Sequence, residues 1–269
     1  MIRISPSHVI FSSEAFQRDK HQFYLILQNL SSENAIIYSD ESSYVVCRGR
    51  SDWPAWIWTI DHFDSSKLSE IEQAIRLLTI DGVDNKFVCK KELYDLLLED
   101  KFEKVDATEY FEMNSLHCTK PKTPSLCDGY LGTPSADDLE LLADYFYDCC
   151  NETSDDHVSI RNITTQIQDL YNNNSLYVWK NDSDKIVCMI AYKSCGDMAR
   201  LMHVYTPPAY RRKGYASNLV HDLTRMLLSK GITPVLYTDY NYDPSNLTYK
   251  GVGYKEDGML IQFACFAED

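Results

Sequence analysis

From Leu139 the apolar positions fall at Leu142, Ala143, Phe146 and Cys150, a helical spacing that opens at Ser135 with Asp138 three residues on, an approximate capping box. Ile160, Ile163, Ile167 and Leu170 mark a second helix. Three strand-like runs follow: SLYVWK and KIVCMIAYK, joined by the polar turn NDSD, and then ARLMHVYT after CGD. Their short polar links predict an antiparallel meander. The prolines after Thr206 stop the sheet, and a helix follows with the stripe Leu219, Leu223, Met226 and Leu227, closed by Lys230 and Gly231. Next come the strand PVLYTD, a short helix with Asp243 as cap and Pro244 at its first position, and a last strand at GMLIQF. A strand reached through a helical crossover is normally parallel to the one before it. ARLMHVYT and PVLYTD are therefore expected as parallel neighbours in an otherwise antiparallel sheet.

The first half predicts a helix from Glu14 to Leu30, strands at NAIIYS, SYVVCRG and WPAWIWTI, and a helix with Leu68, Ile71, Ile75 and Leu78. KFVC, the helix KELYDLLLED and EYFEMNSLHC complete it. This order echoes the second half, with no repeat visible at residue level. The stretch from Cys118 to Ser135 concentrates proline and glycine and reads as a boundary, which divides the chain into 1–120 and 121–269, with a short strand expected around Tyr130 to Gly132.

Charge narrows the function. A net charge of -14 argues against a general nucleic-acid binder, which needs a broad basic face, and against docking on anionic membranes. It suits an amine-bearing ligand, although solubility explains it as well. No run approaches the ~20 apolar residues of a membrane span, and the amino terminus lacks a signal-peptide core, so a cytoplasmic location is the default expectation. The nine cysteines show no disulfide-scaffold or zinc spacing and read as reduced, buried thiols, with no metal expected.

Against that acidic background TPPAYRRKGYA, from Thr206 to Ala216, stands out. A helix start carries unpaired N–H groups and partial positive charge, and a glycine in the preceding turn lets those groups converge on a phosphate. Arg211, Arg212 and Lys213 add charge, while Gly214 and Ala216 keep the approach clear. No GxGxxG or GxxxxGK[ST] is present to support a Rossmann or P-loop reading.

Arg211-x-x-Gly214-x-Ala216 after a strand, followed by Ser245-Asn246-x-x-Tyr249-x-x-x-Gly253-Tyr254, resembles the paired motifs of the GNAT superfamily of N-acyltransferases over about residues 130–263. The resemblance implies an α+β fold with a mixed, mostly antiparallel sheet, a splayed parallel strand pair flanked by helices, and acetyl-CoA as cosubstrate. It implies a pantetheine arm against the backbone near Val204, Tyr205 and Thr206. The diphosphate would lie on the amides from about Arg212 through Lys213, Gly214, Tyr215 and Ala216 to Ser217, with Arg211 at the mouth. Asn246 would bond the arm and Tyr249 would be the general acid.

For the base, strict alternation along the strand puts Leu201, His203 and Tyr205 on one face, and His203 titrates in the useful range. An ordinary packed histidine fits the sequence equally, and Asp239 is another candidate. The implied activity is N-acetylation of a small-molecule or peptide amine. A longer acyl or aminoacyl donor, or a coenzyme A sensor without turnover, stays open. The first half has DHFDSSKLSE where a cradle would stand, with no glycine and two acids, so a degenerate copy that does not bind coenzyme A is expected. It would shape the acceptor site, close a sheet edge or form a homodimer contact. Trp53, Trp56 and Trp58 are read as core rather than pocket.

Overall fold

The computed structural model describes residues 1–81, 85–100, 102–103, 105–153 and 160–266. They form two compact units, one of Met1–Leu116 with Tyr237–Tyr242 and Glu256–Asp269, the other of His117–Leu236 with Asp243–Lys255. A single cut at residue 120 does not describe this division, because two later stretches return to the first unit.

The first unit holds β1 (Ile2–Arg3), α1 (Glu14–Asp19), α2 (Tyr24–Leu30), β2 (Ile36–Ser39), β3 (Tyr44–Arg48), β4 (Ala55–Thr59), α3 (Leu68–Leu78), β5 (Lys86–Lys90), α4 (Lys91–Glu99) and β6 (Val105–His117). The helix expected from Glu14 to Leu30 is broken in two. Phe23, at φ -109° and ψ 32°, leaves helical geometry, and the turn lets Phe16, Phe23, Tyr24 and Ile26 all be buried. Strand alternation divides the core: Tyr44, Val46 and Ile57 pack with Leu68, Ile71 and Ile75 of α3, while Val45, Cys47, Trp56 and Trp58 pack with Phe16, Phe23 and Ile26. β4 and β5 are parallel, with Ala55, Trp56 and Ile57 opposite Phe87, Val88 and Cys89.

The second unit runs β7 (Tyr130–Gly132), α5 (Leu139–Thr153), α6 (Ile160–Asn172), β8 (Leu176–Lys180), β9 (Ile186–Cys195), β10 (Met198–Tyr205), α7 (Tyr215–Ser229), β11 (Thr233–Asp239) and α8 (Asp243–Val252), before β12 (Lys255–Cys265). Asp138 accepts from the Ser135 N–H at 2.7 Å and from its hydroxyl at 2.8 Å, so the expected capping residues do meet. β7, β8, β9 and β10 form the antiparallel meander, and β10 pairs β11 in parallel. Leu142, Phe146, Cys149, Ile163 and Ile167 close over its Val178, Met189 and Tyr205. From Glu256 on β12 belongs to the first unit, where it pairs β5, Leu260 opposite Lys90 and Ala264 opposite Lys86.

From α1 to β6 and from α5 to β12 the order is the same: two helices, three strands, helix, strand, helix, strand. The echo read from the sequence is an architectural repeat.

Candidate active site

β10 changes partners along its length. Met202 lies opposite Ala191 and Tyr205 opposite Met189, so three steps on β10 span two on β9. The extra residue makes a bulge, and His203 takes it up at φ +53°, in the left-handed region. This overturns the strict alternation that grouped Leu201, His203 and Tyr205. Met202 and Tyr205 instead share the core under α5 and α6. On its other edge β10 pairs β11 only at Met198, Ala199 and Arg200, opposite Thr233, Pro234 and Val235. Among the described residues no registered pair with β11 follows Arg200, so the stretch from Leu201 to Tyr205, including Val204, is not registered with that neighbour.

The chain then turns into α7. Arg212 has φ +62° and Gly214 φ +85°, and Gly214 is the N-cap of α7 with no side-chain cap hydrogen bond. Backbone N–H groups near left-handed residues at a helix start form an anion-binding concavity. At Gly214 a Cβ would meet Asn218 Nδ2 at 3.5 Å and Cys127 Cβ at 3.6 Å, ordinary contacts. The glycine is thus required by its φ rather than by space. Arg212 and Lys213 are exposed, and Lys213 Nζ stands 5.7 Å from the Tyr210 ring centroid.

Arg211 is differently engaged: its Nε donates to the Thr206 carbonyl at 2.8 Å and its Nη2 to Glu152 at 2.6 and 2.7 Å. Tyr215 is buried, and its hydroxyl donates to Asp128 at 2.7 Å, a bond that pushes the phenol up to about 12. Asn218 Nδ2 donates to the Ser125 and Gly214 carbonyls at 2.9 and 3.0 Å. The segment from Ser125 to Asp128, inside the proline- and glycine-rich stretch from Cys118 to Ser135, therefore supports the turn, a role that composition did not signal.

The uncapped first turn of α7 fits an anionic diphosphate. The amides of Gly214, Tyr215, Ala216 and Ser217 would hold it, with Arg212 and Lys213 supplying charge.

On α8, Asn246, Tyr249 and Val252 are buried together, at helical spacing on one face. The helix ends at Gly253, whose φ is +102° and where a Cβ would come within 3.0 Å of the Lys120 carbonyl oxygen. Tyr254 is fixed by a 2.6 Å hydrogen bond with Thr224 of α7, and its ring meets Tyr249 edge-on at 5.7 Å. Burial pushes the Tyr249 phenol well above its ordinary value; the nearby Cys149 and Cys188 thiols add to this and a Ser245 hydrogen bond opposes it. Cys188 is buried, held up at about 12, and accepts from the Thr206 hydroxyl at 3.1 Å. The half-buried His203 packs on Phe146, ring centroids 4.1 Å apart. Burial, and then the Arg200 charge, lower its imidazole to about 4.

The first unit has the same parallel pair but a different mouth. Lys90 Nζ, at the end of β5, donates to the Thr59 carbonyl of β4 at 3.0 Å, to Asp19 at 2.8 Å and to Asp61 at 3.1 Å. In the following turn the Asp64 carboxylate already accepts the Ser66 N–H at 2.9 Å. A carbonyl at the end of β4 and an amide of the following turn are thus internally satisfied here. Trp56 and Trp58 are core residues, the Trp58 indole donating to Asp19 at 3.0 Å, whereas Trp53 is half-buried beneath Arg50.

The two stretches share one α+β order, and in the second a parallel strand pair that ends its register at Arg200 precedes a helix whose N-cap is glycine. Residues 139–254 match the acetyltransferase (GNAT) family, and the chain carries a GNAT acetyltransferase domain there. That family uses acetyl-CoA, and the match supports acyl transfer in general. No curated protein matches the chain in sequence.

Among solved structures, a GCN5-related N-acetyltransferase from Sphaerobacter thermophilus is similar at 11% identity and TM-score 0.65, over 99% of this chain and 96% of its own. One from Kribbella flavida is similar at 14% identity and TM-score 0.61, over 95% and 97%. A GNAT-family acetyltransferase from Colwellia psychrerythraea gives 12% and 0.58, over 92% and 96%. At these identities the likeness shows the fold, and it extends through both units. Among the described residues no helix is long and apolar enough to cross a membrane.

Proposed function

We propose that the protein is an acetyl-CoA-dependent N-acetyltransferase that acts on a primary amine by direct attack. The observation that carries this reading is the departure of β10 from β11 after Arg200, with the uncapped start of α7 following at its end. Acetyl-CoA, when bound, would supply the thioester whose carbonyl carbon accepts the amine, with coenzyme A as the leaving thiol. The β10 edge around Val204, Tyr205 and Thr206 orients the arm through its backbone, with Asn246 beside Tyr249 on α8 completing the wall.

Tyr249 serves as general acid. A phenol held above its ordinary pKa stays protonated at neutral pH and can give its proton to the sulfur as the C–S bond breaks and the C–N bond forms. The hydrogen lost from the attacking nitrogen goes to a base. His203 is neutral and able to accept, but at about 4 it is a weak acceptor, which favours relay onward to water. A backbone N–H of the β10 bulge, at Val204 or Tyr205, supports the developing oxyanion.

An amine acceptor can attack the thioester directly, without an enzyme nucleophile, and suits a chain of net charge -14. The test is release of free thiol from acetyl-CoA against a panel of primary amines and amino-terminal peptides. Amine-dependent release with acetylated product supports the proposal. Acetyl-CoA binding with no release for any amine would leave a sensor, and preferential use of a long-chain donor would move the activity to general acyl transfer.

A further inference from the structure

Arg211 opens the Arg211-x-x-Gly214-x-Ala216 motif, yet its guanidinium is spent on the protein. Nε donates to the Thr206 carbonyl at 2.8 Å, and Nη2 donates to both oxygens of Glu152 at 2.6 and 2.7 Å. Its carbon stands 5.6 Å from the Tyr205 ring centroid. The Tyr205 hydroxyl in turn donates to Asp148 at 3.3 Å, one turn before Glu152 on α5. One side chain thus joins the end of β10, the beginning of the anion-binding loop and the last turn of α5.

The Arg211 and Glu152 side chains are 38% and 40% exposed, so the pair contributes little to global stability. Its effect is geometric. A planar guanidinium that holds a backbone carbonyl and a carboxylate at once fixes direction as well as distance.

We propose that Glu152 and Arg211 form a strut that positions the loop from Arg212 to Gly214, so that Arg211 assists diphosphate binding by setting the loop amides and is not itself a diphosphate ligand. Glu152 is then a positioning residue contributed by α5. This rests on the coenzyme A reading of the same site. The strut also couples α5 to the cofactor loop: what shifts the last turn of α5 shifts the amides.

The test compares Glu152→Ala, Arg211→Met and the double variant in the full chain, by coenzyme A titration, steady-state kinetics and amide hydrogen exchange of residues 207–218 in the free protein. The strut predicts that each single change weakens coenzyme A about tenfold and that the double change weakens it about tenfold, not a hundredfold, because both remove one interaction. Glu152→Ala should raise KM for acetyl-CoA with kcat changed less than about twofold, and both single variants should speed exchange in the loop before any ligand is added.

Weakening by Arg211→Met alone would make Arg211 a direct ligand and overturn the proposal. So would effects that multiply, or loop exchange that does not change. If the unaltered protein binds no coenzyme A, the active-site reading falls, and the exchange comparison alone decides the strut.

Discussion

Lys90 Nζ donates to the carbonyl oxygen of Thr59 at 3.0 Å, beyond the last registered pair of β4 and β5. In the second unit the registered pairs of β10 and β11 end at Arg200 and Val235. A largely buried ammonium that satisfies a strand carbonyl and two carboxylates is costly to displace, since removing it leaves those acceptors without their donor. With Asp64 on the Ser66 amide as well, the end of β4 and the turn that follows it are engaged by the first unit's own side chains. The chain is therefore expected to bind one coenzyme A, not two. Calorimetry or equilibrium dialysis measures this directly, and a stoichiometry of two would contradict the contrast between the units.

Gly214 gives a sharper test because its requirement is conformational. At φ +85° a β-branched side chain is strained by about 1–2 kcal/mol, while asparagine tolerates the region. Gly214→Val should weaken coenzyme A at least tenfold with a small loss of thermal stability, and Gly214→Asn should retain most of the affinity. Equal affinity for glycine, asparagine and valine would mean that the loop amides do not hold the diphosphate.

Tyr249→Phe removes one hydroxyl from the buried face of α8 and leaves the ring packed on Tyr254. The expected result is a fall in kcat of about 10²-fold or more, the usual contribution of a positioned proton donor, with coenzyme A affinity within about twofold. An unchanged kcat would make the tyrosine structural.

His203 links the site to stability through pH. Its imidazole is lowered from 6.5 to about 4 in the folded protein, so between those values the unfolded chain binds more protons. The folded state has its full advantage above pH 6.5 and loses it as pH falls toward 4, by about 3 kcal/mol for this single group. His203→Asn, which accepts the left-handed backbone, should flatten urea-derived stability over that window. A retained slope would show that other groups carry it. In kinetics, a limb of the rate profile near 6.5 that vanishes in this variant would contradict the lowered value.

Much of this arrangement was legible in the sequence, for physical reasons that differ from part to part. Apolar periodicity located α5, α6, α7 and the strands because each buries one face. The crossover rule placed β10 parallel to β11, and glycine with basic neighbours marked the start of α7. The bulge at His203 was not legible, because Leu201, Met202, Val204 and Tyr205 put apolar side chains on both faces and leave no alternation for the extra residue to disturb. Nor was the return of β12 to β5, which is a matter of hydrogen-bond partners in space. The break between Asp19 and Tyr24 is a tertiary effect, the burial of Phe16 and Phe23 overriding helix continuity. Glu152 could not be singled out as Arg211's partner, since α5 carries acids at Glu140, Asp144 and Asp148 as well.

The account stands most directly on titration of the purified chain with acetyl-CoA by calorimetry, beside free coenzyme A and a long-chain acyl form. It predicts one site per chain, micromolar affinity and a preference for the acetyl form. Absence of binding by all three would contradict it: the turn from Arg211 to Ala216 would then be a shape without its ligand.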